Sequence, residues 1–418
     1  MRIGMIMDTP FPPDARVENE ARTLIGAGHE VVLFTVDYPG GVHPAGVSMT
    51  RDAFEGIRIV RHSGSRLMYK LSALVYSVPF WRWWITPHIS RFIESQHLDV
   101  LHIHDMVIAE AAMTANRKFR LPVVLDLHEN RPEIMKLYKH VNSGIGRWLI
   151  DLDRWERKQR ELMRQADRLI LVTEEARHVA ADTSGIPVER TSSVPNVVRL
   201  ETFDRAYGNQ EVAGSGSSGP GSGSAGSSTT DHTFTLLYIG DTSLRRGTMT
   251  ALEAVEKLRH QIPELHLILV GSSSQDDVLH RYVRRNHLDS RVTFAGWQPP
   301  DRLPGYIRSA DLCLSPLLRN LHHDTTYANK LFQYMAGGRA VLASDCTAQA
   351  AVVRTERCGL VHRAGDASDL ARAVESLYKD TAGAREMGVR GREAVEKRWC
   401  WEVTGPQLLS VYSALQPA

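Results

Sequence analysis

Short apolar runs alternate with helical patterns along almost the whole chain. In the first half "RIGMIMD", "EVVLFTV", "IRIVRH", "DVLHIHD", "PVVLDLH" and "RLILVTE" read as strands. Their nearly continuous apolar character suits parallel strands covered on both faces. Between the first two, Val17, Ala21, Leu24 and Ile25 fall on one helical face, and Gly26 and Gly28 end that helix. The second half repeats the rhythm with "FTLLYIG", "LHLILVG", "RVTFAGW", "DLCLSP" and "AVLASD". The pattern predicts an α/β protein of two Rossmann-like, doubly wound parallel-sheet domains facing across a cleft. Ligands of such sheets bind beyond the strand C-termini, which makes that cleft the expected site.

A stretch of nearly pure Gly, Ser, Ala and Thr, residues 208–231, interrupts the pattern. It cannot bury enough apolar surface to order itself and reads as a flexible linker. The expected organisation is an acceptor domain over 1–207, the linker, a donor domain over 232–400, and a last helix over 401–418 packing back on the first domain. Hydrophobic content of 43% and a net charge of +2 are ordinary for a globular protein and call for no nucleic-acid partner. Four cysteines, with no CxxC pair, read as reduced thiols. The N-terminus lacks the order of a signal peptide, and the longest apolar stretch is too short to span a bilayer. The expected location is cytoplasmic.

Two stretches carry candidate chemistry in the second half. The loop "GDTSLRRGT", residues 240–248, joins a strand to a helix. Gly240 and Gly247 permit unusual backbone angles, Thr248 can cap the helix, and Arg245 and Arg246 can reach a phosphate. The same loop also reads as a solvated basic turn. In "DTTYANKLFQYMAGGRAVLASD", Thr325 and Thr326 are capping and turn residues before a helix expected over about 328–336. Asn329, Lys330 and Gln333 share one face of it, while Leu331, Tyr334 and Met335 pack. Gln333 brings a donor and an acceptor without charge.

These stretches, with "LILVG", "RVTFAGWQPPDRLPGYIRSADLCLSP" and, in the first half, "PPDARVENEARTLIGAGHEVVLFT", "VLHIHD", "VVLDLHENRPE" and "VPNVVRLETF", resemble in order the retaining glycosyltransferases of family four, which have the GT-B fold. The resemblance covers nearly everything but the linker. It implies transfer of a sugar from a nucleotide diphosphate sugar to an acceptor hydroxyl with retention, in polysaccharide, glycolipid or other glycoconjugate synthesis. It also implies a site without a required metal or other cofactor. Arg246, with Arg245 beside it, matches the family's diphosphate contact. The backbone near Trp297 matches the base contact. Gln333 stands where the family's ribose-binding carboxylate stands, and Thr325 replaces another frequent acid. Asp241 replaces a frequent arginine. An acid there repels a diphosphate unless it faces away or pairs with Arg245.

In the first half, His128 matches a histidine near the transferred sugar, with Glu129 as its neighbouring candidate. On its own, such a histidine is more often structural. Arg16 reads either as a contact to donor phosphates or an anionic acceptor, or as a surface pair with Glu18 or Glu20. His102 and His104 share a strand face, but no third metal ligand is evident in the sequence. Residues 62–93 contain Arg66, Lys70, Arg82, Arg91 and three tryptophans, and no acid. They read as a core helix with a basic rim or as a segment resting on an anionic bilayer, which would suit a lipid-linked acceptor. Two other functions compete. One is a nucleotide-sugar epimerase of the same fold, which needs acid/base carboxylates. The other is a non-catalytic nucleotide-sugar-binding protein.

Overall fold

The computed structural model describes residues 1–39, 53–138, 141, 144, 146–213 and 233–415. Residues 214–231 of the expected linker lie outside the described residues, and residues 200–213 form a helix, Leu200–Ala213. The chain divides into two compact units, residues 1–196 with 404–418, and residues 197–403.

The first unit is built on an eight-stranded sheet. In chain order its strands are β1 (Arg2–Ile6), β2 (Glu30–Asp37), β3 (Ala53–Phe54), β4 (Ile57–Ser63), β5 (Val100–His104), β6 (Val123–Leu127), β7 (Arg168–Leu171) and β8 (Thr191–Ser193). Their spatial order is β3-β4-β2-β1-β5-β6-β7-β8, parallel except for β3. The short polar strand β8 ("TSS") and the two-residue β3 were not legible as apolar runs. The order reverses between β1 and β5, where ligands of such sheets bind. Helices cover the sheet because their apolar stripes need it. Trp81, Ile85, Ile89 and Phe92 recur along Phe80–Gln96 and are buried. Asp14 caps Ala15–Gly26, its carboxylate accepting the Arg16 and Val17 N–H groups at 3.1 Å each. The last helix, Pro406–Ser413, belongs to this unit and buries Leu408, Val411 and Tyr412.

The second unit has six parallel strands: β9 (Phe234–Ile239), β10 (Leu265–Val270), β11 (Val292–Gly296), β12 (Leu312–Ser315), β13 (Ala340–Ser344) and β14 (Gly359–His362). Their order is β11-β10-β9-β12-β13-β14, reversing between β9 and β12. Every residue of β9, β12 and β13 is buried, the pattern expected of central parallel strands. All four cysteines are free and buried. Among the described residues, no helix is long and apolar enough to cross a membrane.

Candidate active site

At the β9/β12 reversal the basic loop folds back on itself. Gly240 sits at φ +126°, and Gly247 at φ +76°. A Cβ on Gly247 would lie 1.7 Å from the Pro316 carbonyl oxygen, so only glycine lets the loop pass the end of β12. Gly247 also stands at the helix cap. Thr248, expected there, is instead the first helical residue, buried, with its hydroxyl donating to the Thr242 carbonyl at 2.9 Å. Asp241 accepts the Ser243 N–H and hydroxyl, both at 2.9 Å, and pairs with Arg245 Nη2 at 3.0 Å. Arg246 Nε lies 3.8 Å from the same carboxylate. Burial opposes its charge, but the Ser243 N–H and hydroxyl, with the arginines behind them, hold Asp241 below the usual carboxylate range. The acid that stood out in the sequence thus anchors the loop and Arg245.

The helix Asn329–Ala336 divides its polar residues. Leu331, Phe332, Tyr334 and Met335 are fully buried, and Gly338 at φ +65° ends the helix. Asn329 is exposed and Gln333 half-buried. The Gln333 side-chain amide has no partner among the described residues. Lys330, expected on the same ligand-facing side, turns inward and is only 8% exposed. Its Nζ lies 3.4 Å from the centroid of the Tyr238 ring and finds no hydrogen-bond acceptor among the described residues. Burial, reinforced by Arg246, pushes its pKa well below that of a free lysine. The Thr325 and Thr326 hydroxyls donate to the Leu321 and His322 carbonyls at 2.7 and 2.6 Å. Trp297, just past β11, is 68% exposed.

At the β1/β5 reversal of the first unit the charges interlock. The register sets His104 beside Asp126. Asp126 is fully buried and takes Arg16 in a two-pronged pair, at 2.8 and 2.9 Å. Arg16 also donates to the Val194 carbonyl at 2.8 Å and pairs with Glu20 at 3.0 Å. In place of a surface pair or a phosphate contact, Arg16 is a buried cation with its fork occupied. His128 is gripped at both ring nitrogens. Nε2 lies 3.1 Å from Asp126 and 3.2 Å from His104 Nδ1, and Nδ1 lies 3.4 Å from Asp105. Burial disfavours its charge, yet Asp105 and Asp126 outweigh burial and raise His128 to about 10. The two carboxylates therefore favour the imidazolium at neutral pH, with Nε2 engaged by Asp126 and Nδ1 left with only the 3.4 Å ion pair to Asp105. Burial keeps His104 neutral, at about 3, and drives the Glu20 carboxyl up. Glu129 pairs with Arg131 at 2.8 Å.

Glu20, His102, His104 and Asp126 each bring one possible metal-ligand atom within 4.8 Å of the others. Two of them are the carboxylates that the sequence did not point to. Arg16 bridges both carboxylates and already brings a positive charge to them.

Sequence reasoning missed Asp105, Asp126, His322 and His323, and placed Glu20 only in a surface pair. Asp126 on β6 and His128 just past its end lie two positions apart, as His102 and His104 do on the neighbouring β5. That doubled period-two pattern was a usable signal. Asp105 sits between β5 and a helix at φ +63°, where a non-glycine residue is strained. It offers a half-exposed carboxylate whose pKa burial raises.

Residues 15–202 match the family described as glycosyltransferase family 4, and residues 233–380 match glycosyl transferases group 1. The glycogen synthase of Mycobacterium tuberculosis is 21% identical over 99% of this chain and 95% of its own. The phosphatidyl-myo-inositol mannosyltransferase of Mycobacterium leprae is 23% identical over 99% of this chain and 97% of its own. Sucrose-phosphate synthase from Thermosynechococcus elongatus superposes with a TM-score of 0.75 over 99% of both chains at 20% identity. The Anabaena protein HepE in complex with UDP-glucose does so with 0.69, at 15% identity, over 99% of this chain and 100% of its own. The fold is GT-B, and the chain belongs to the glycosyltransferases of family four.

Proposed function

We propose that the protein transfers a sugar from a nucleotide diphosphate sugar to an acceptor hydroxyl with retention of configuration, in glycoconjugate or polysaccharide synthesis. The observation that carries this reading is Lys330, a buried basic side chain without an acceptor among the described residues, facing Arg246 of the basic loop at the strand reversal of the second unit. A diphosphate supplies the missing anion. Lys330, Arg245 and Arg246 stabilise the leaving diphosphate electrostatically, and on this reading no metal is required. Gln333 grips the ribose, and Trp297 lies at the base. In the first unit Asp105 holds the acceptor hydroxyl, and His128 contributes its fixed charge. Relatives bind UDP-glucose or act on a phosphatidylinositol, by their names.

Incubation with UDP-glucose and GDP-mannose and an acceptor panel, followed by proton NMR of the new anomeric centre, tests the reading. A product with the donor's anomeric configuration supports it. An inverted product contradicts retention, and an epimerised donor favours the epimerase.

A membrane-bound acceptor has its own support. Leu67, Tyr69, Phe80 and Trp83 are between 57% and 63% exposed, on helices that also carry Arg66, Lys70 and Arg82. Trp81, by contrast, is core. Sedimentation with vesicles rich in anionic lipid, lost in Trp83→Ala, checks this.

A further inference from the structure

Three buried basic side chains surround the loop Gly240–Gly247 from two other elements. Lys330 comes from Asn329–Ala336, with Tyr238, Asp241 and Arg246 facing it. His322 and His323 come from the short helix Leu321–Asp324, with Arg245 and Arg246 facing both and Lys330 facing His323. His323 Nδ1 lies 2.6 Å from the Leu318 carbonyl and 3.0 Å from Asn320 Nδ2. That leaves Lys330 Nζ, His322 Nδ1 and His323 Nε2 buried without hydrogen-bond partners among the described residues. Among the described residues the acid facing Lys330 is Asp241, already committed to Ser243 and Arg245.

The physics of such a cluster is one-sided. The arginines cannot shed their protons, so the lysine and histidines relieve the crowding by losing theirs. The Tyr238 ring favours an ammonium, but one ring face does not replace the water that burial removes. A diphosphate reverses the balance by bringing negative charge and hydrogen-bond acceptors.

We propose that this socket is short of protons when empty and takes them up as the donor binds, Lys330 first, so that nucleotide-sugar binding is coupled to proton uptake. The inference rests on the donor reading above and adds a regulation to that site. The proton passes from buffer to the Lys330 lone pair, and no other bond changes. The phosphates of a nucleotide sugar do not titrate near neutrality, so the uptake belongs to the protein.

Titration calorimetry of the full chain at pH 7.5 with UDP-glucose and GDP-mannose, in PIPES, HEPES and Tris, tests it. The buffers differ in ionisation enthalpy, and the slope of observed heat against that enthalpy counts protons. The expected result is uptake of about one proton for the donor that binds, with Kd rising by up to about tenfold per pH unit above neutrality. Lys330→Arg, permanently charged, should bind with a slope near zero. Binding with zero slope in the wild type overturns the inference and leaves the donor reading standing. Uptake that persists in Lys330→Arg overturns the assignment to Lys330. Failure of both nucleotide sugars to bind overturns the donor reading and the inference with it.

Discussion

Asp126 in the first unit and Lys330 in the second are both withdrawn from water, but only Asp126 has its counter-charge in place. Arg16 and His128 close around Asp126 with three contacts between 2.8 and 3.1 Å. Lys330 Nζ meets a ring face and, among the described residues, no acceptor. A closed knot of charge holds a fold together, because removing any member strands another. An open one costs stability and is kept for what it binds. On the proposed reading, the difference separates a charge set that holds the first sheet together from one in the second unit that waits for a ligand.

The largest effect that tests this contrast is on stability. Asp126→Ala takes from the buried Arg16 and His128 the carboxylate they share, leaving Glu20 and Asp105 as their remaining acids, and should cost about 3–5 kcal/mol in urea unfolding. A loss below about 1 kcal/mol would mean that the knot is not closed. Next come the proposed donor contacts. Arg246→Ala should weaken nucleotide-sugar binding by about 1.5–3 kcal/mol while leaving unfolding almost unchanged. Lys330→Met should show the opposite pairing to Asp126→Ala, with weaker donor binding and a melting temperature raised by about 2–4 °C. A lowered melting temperature would place Lys330 among the scaffold charges.

The pH dependence sharpens the same comparison. His128 is raised from 6.5 to about 10, so its stabilisation is complete below about pH 6.5 and is lost as pH rises towards 10. Lys330 is shifted down, so its contribution has the opposite slope, with stability gained as pH rises towards the lysine's unfolded value. Unfolding free energies between pH 7 and 10 should therefore fall less steeply in His128→Gln and more steeply in Lys330→Met than in the wild type. The smallest expected effect is that of Gln333→Glu, which should keep the fold and shift nucleotide preference in a titration. No change in either affinity or preference would make Gln333 a packing residue.

The central strands were legible because strands covered on both faces must be apolar throughout, as β9 and β13 are. The helix Asn329–Ala336 was legible from its apolar stripe and its two closing glycines. That Lys330 turns inward was not. Three-and-four spacing places it beside Gln333 but does not say where the Tyr238 ring lies. Arg16 misled for a similar reason. It is one turn from Glu20, which suggested a surface pair, whereas Asp126, 110 positions away, draws it into the interior. Charge partners that distant come from sheet register, here His104 beside Asp126. Asp105 was hidden because backbone strain leaves no mark in the sequence of an ordinary aspartate.

The most direct test of the central claim is a thermal-shift panel of UDP, GDP, ADP and TDP and their sugars, run on the wild type, Arg246→Ala and Lys330→Met. A ligand that binds only the folded state raises the melting temperature by mass action. A clear rise with one base in the wild type, lost in both variants, is the expected result. No rise with any nucleotide, or a rise that survives both substitutions, would contradict that claim.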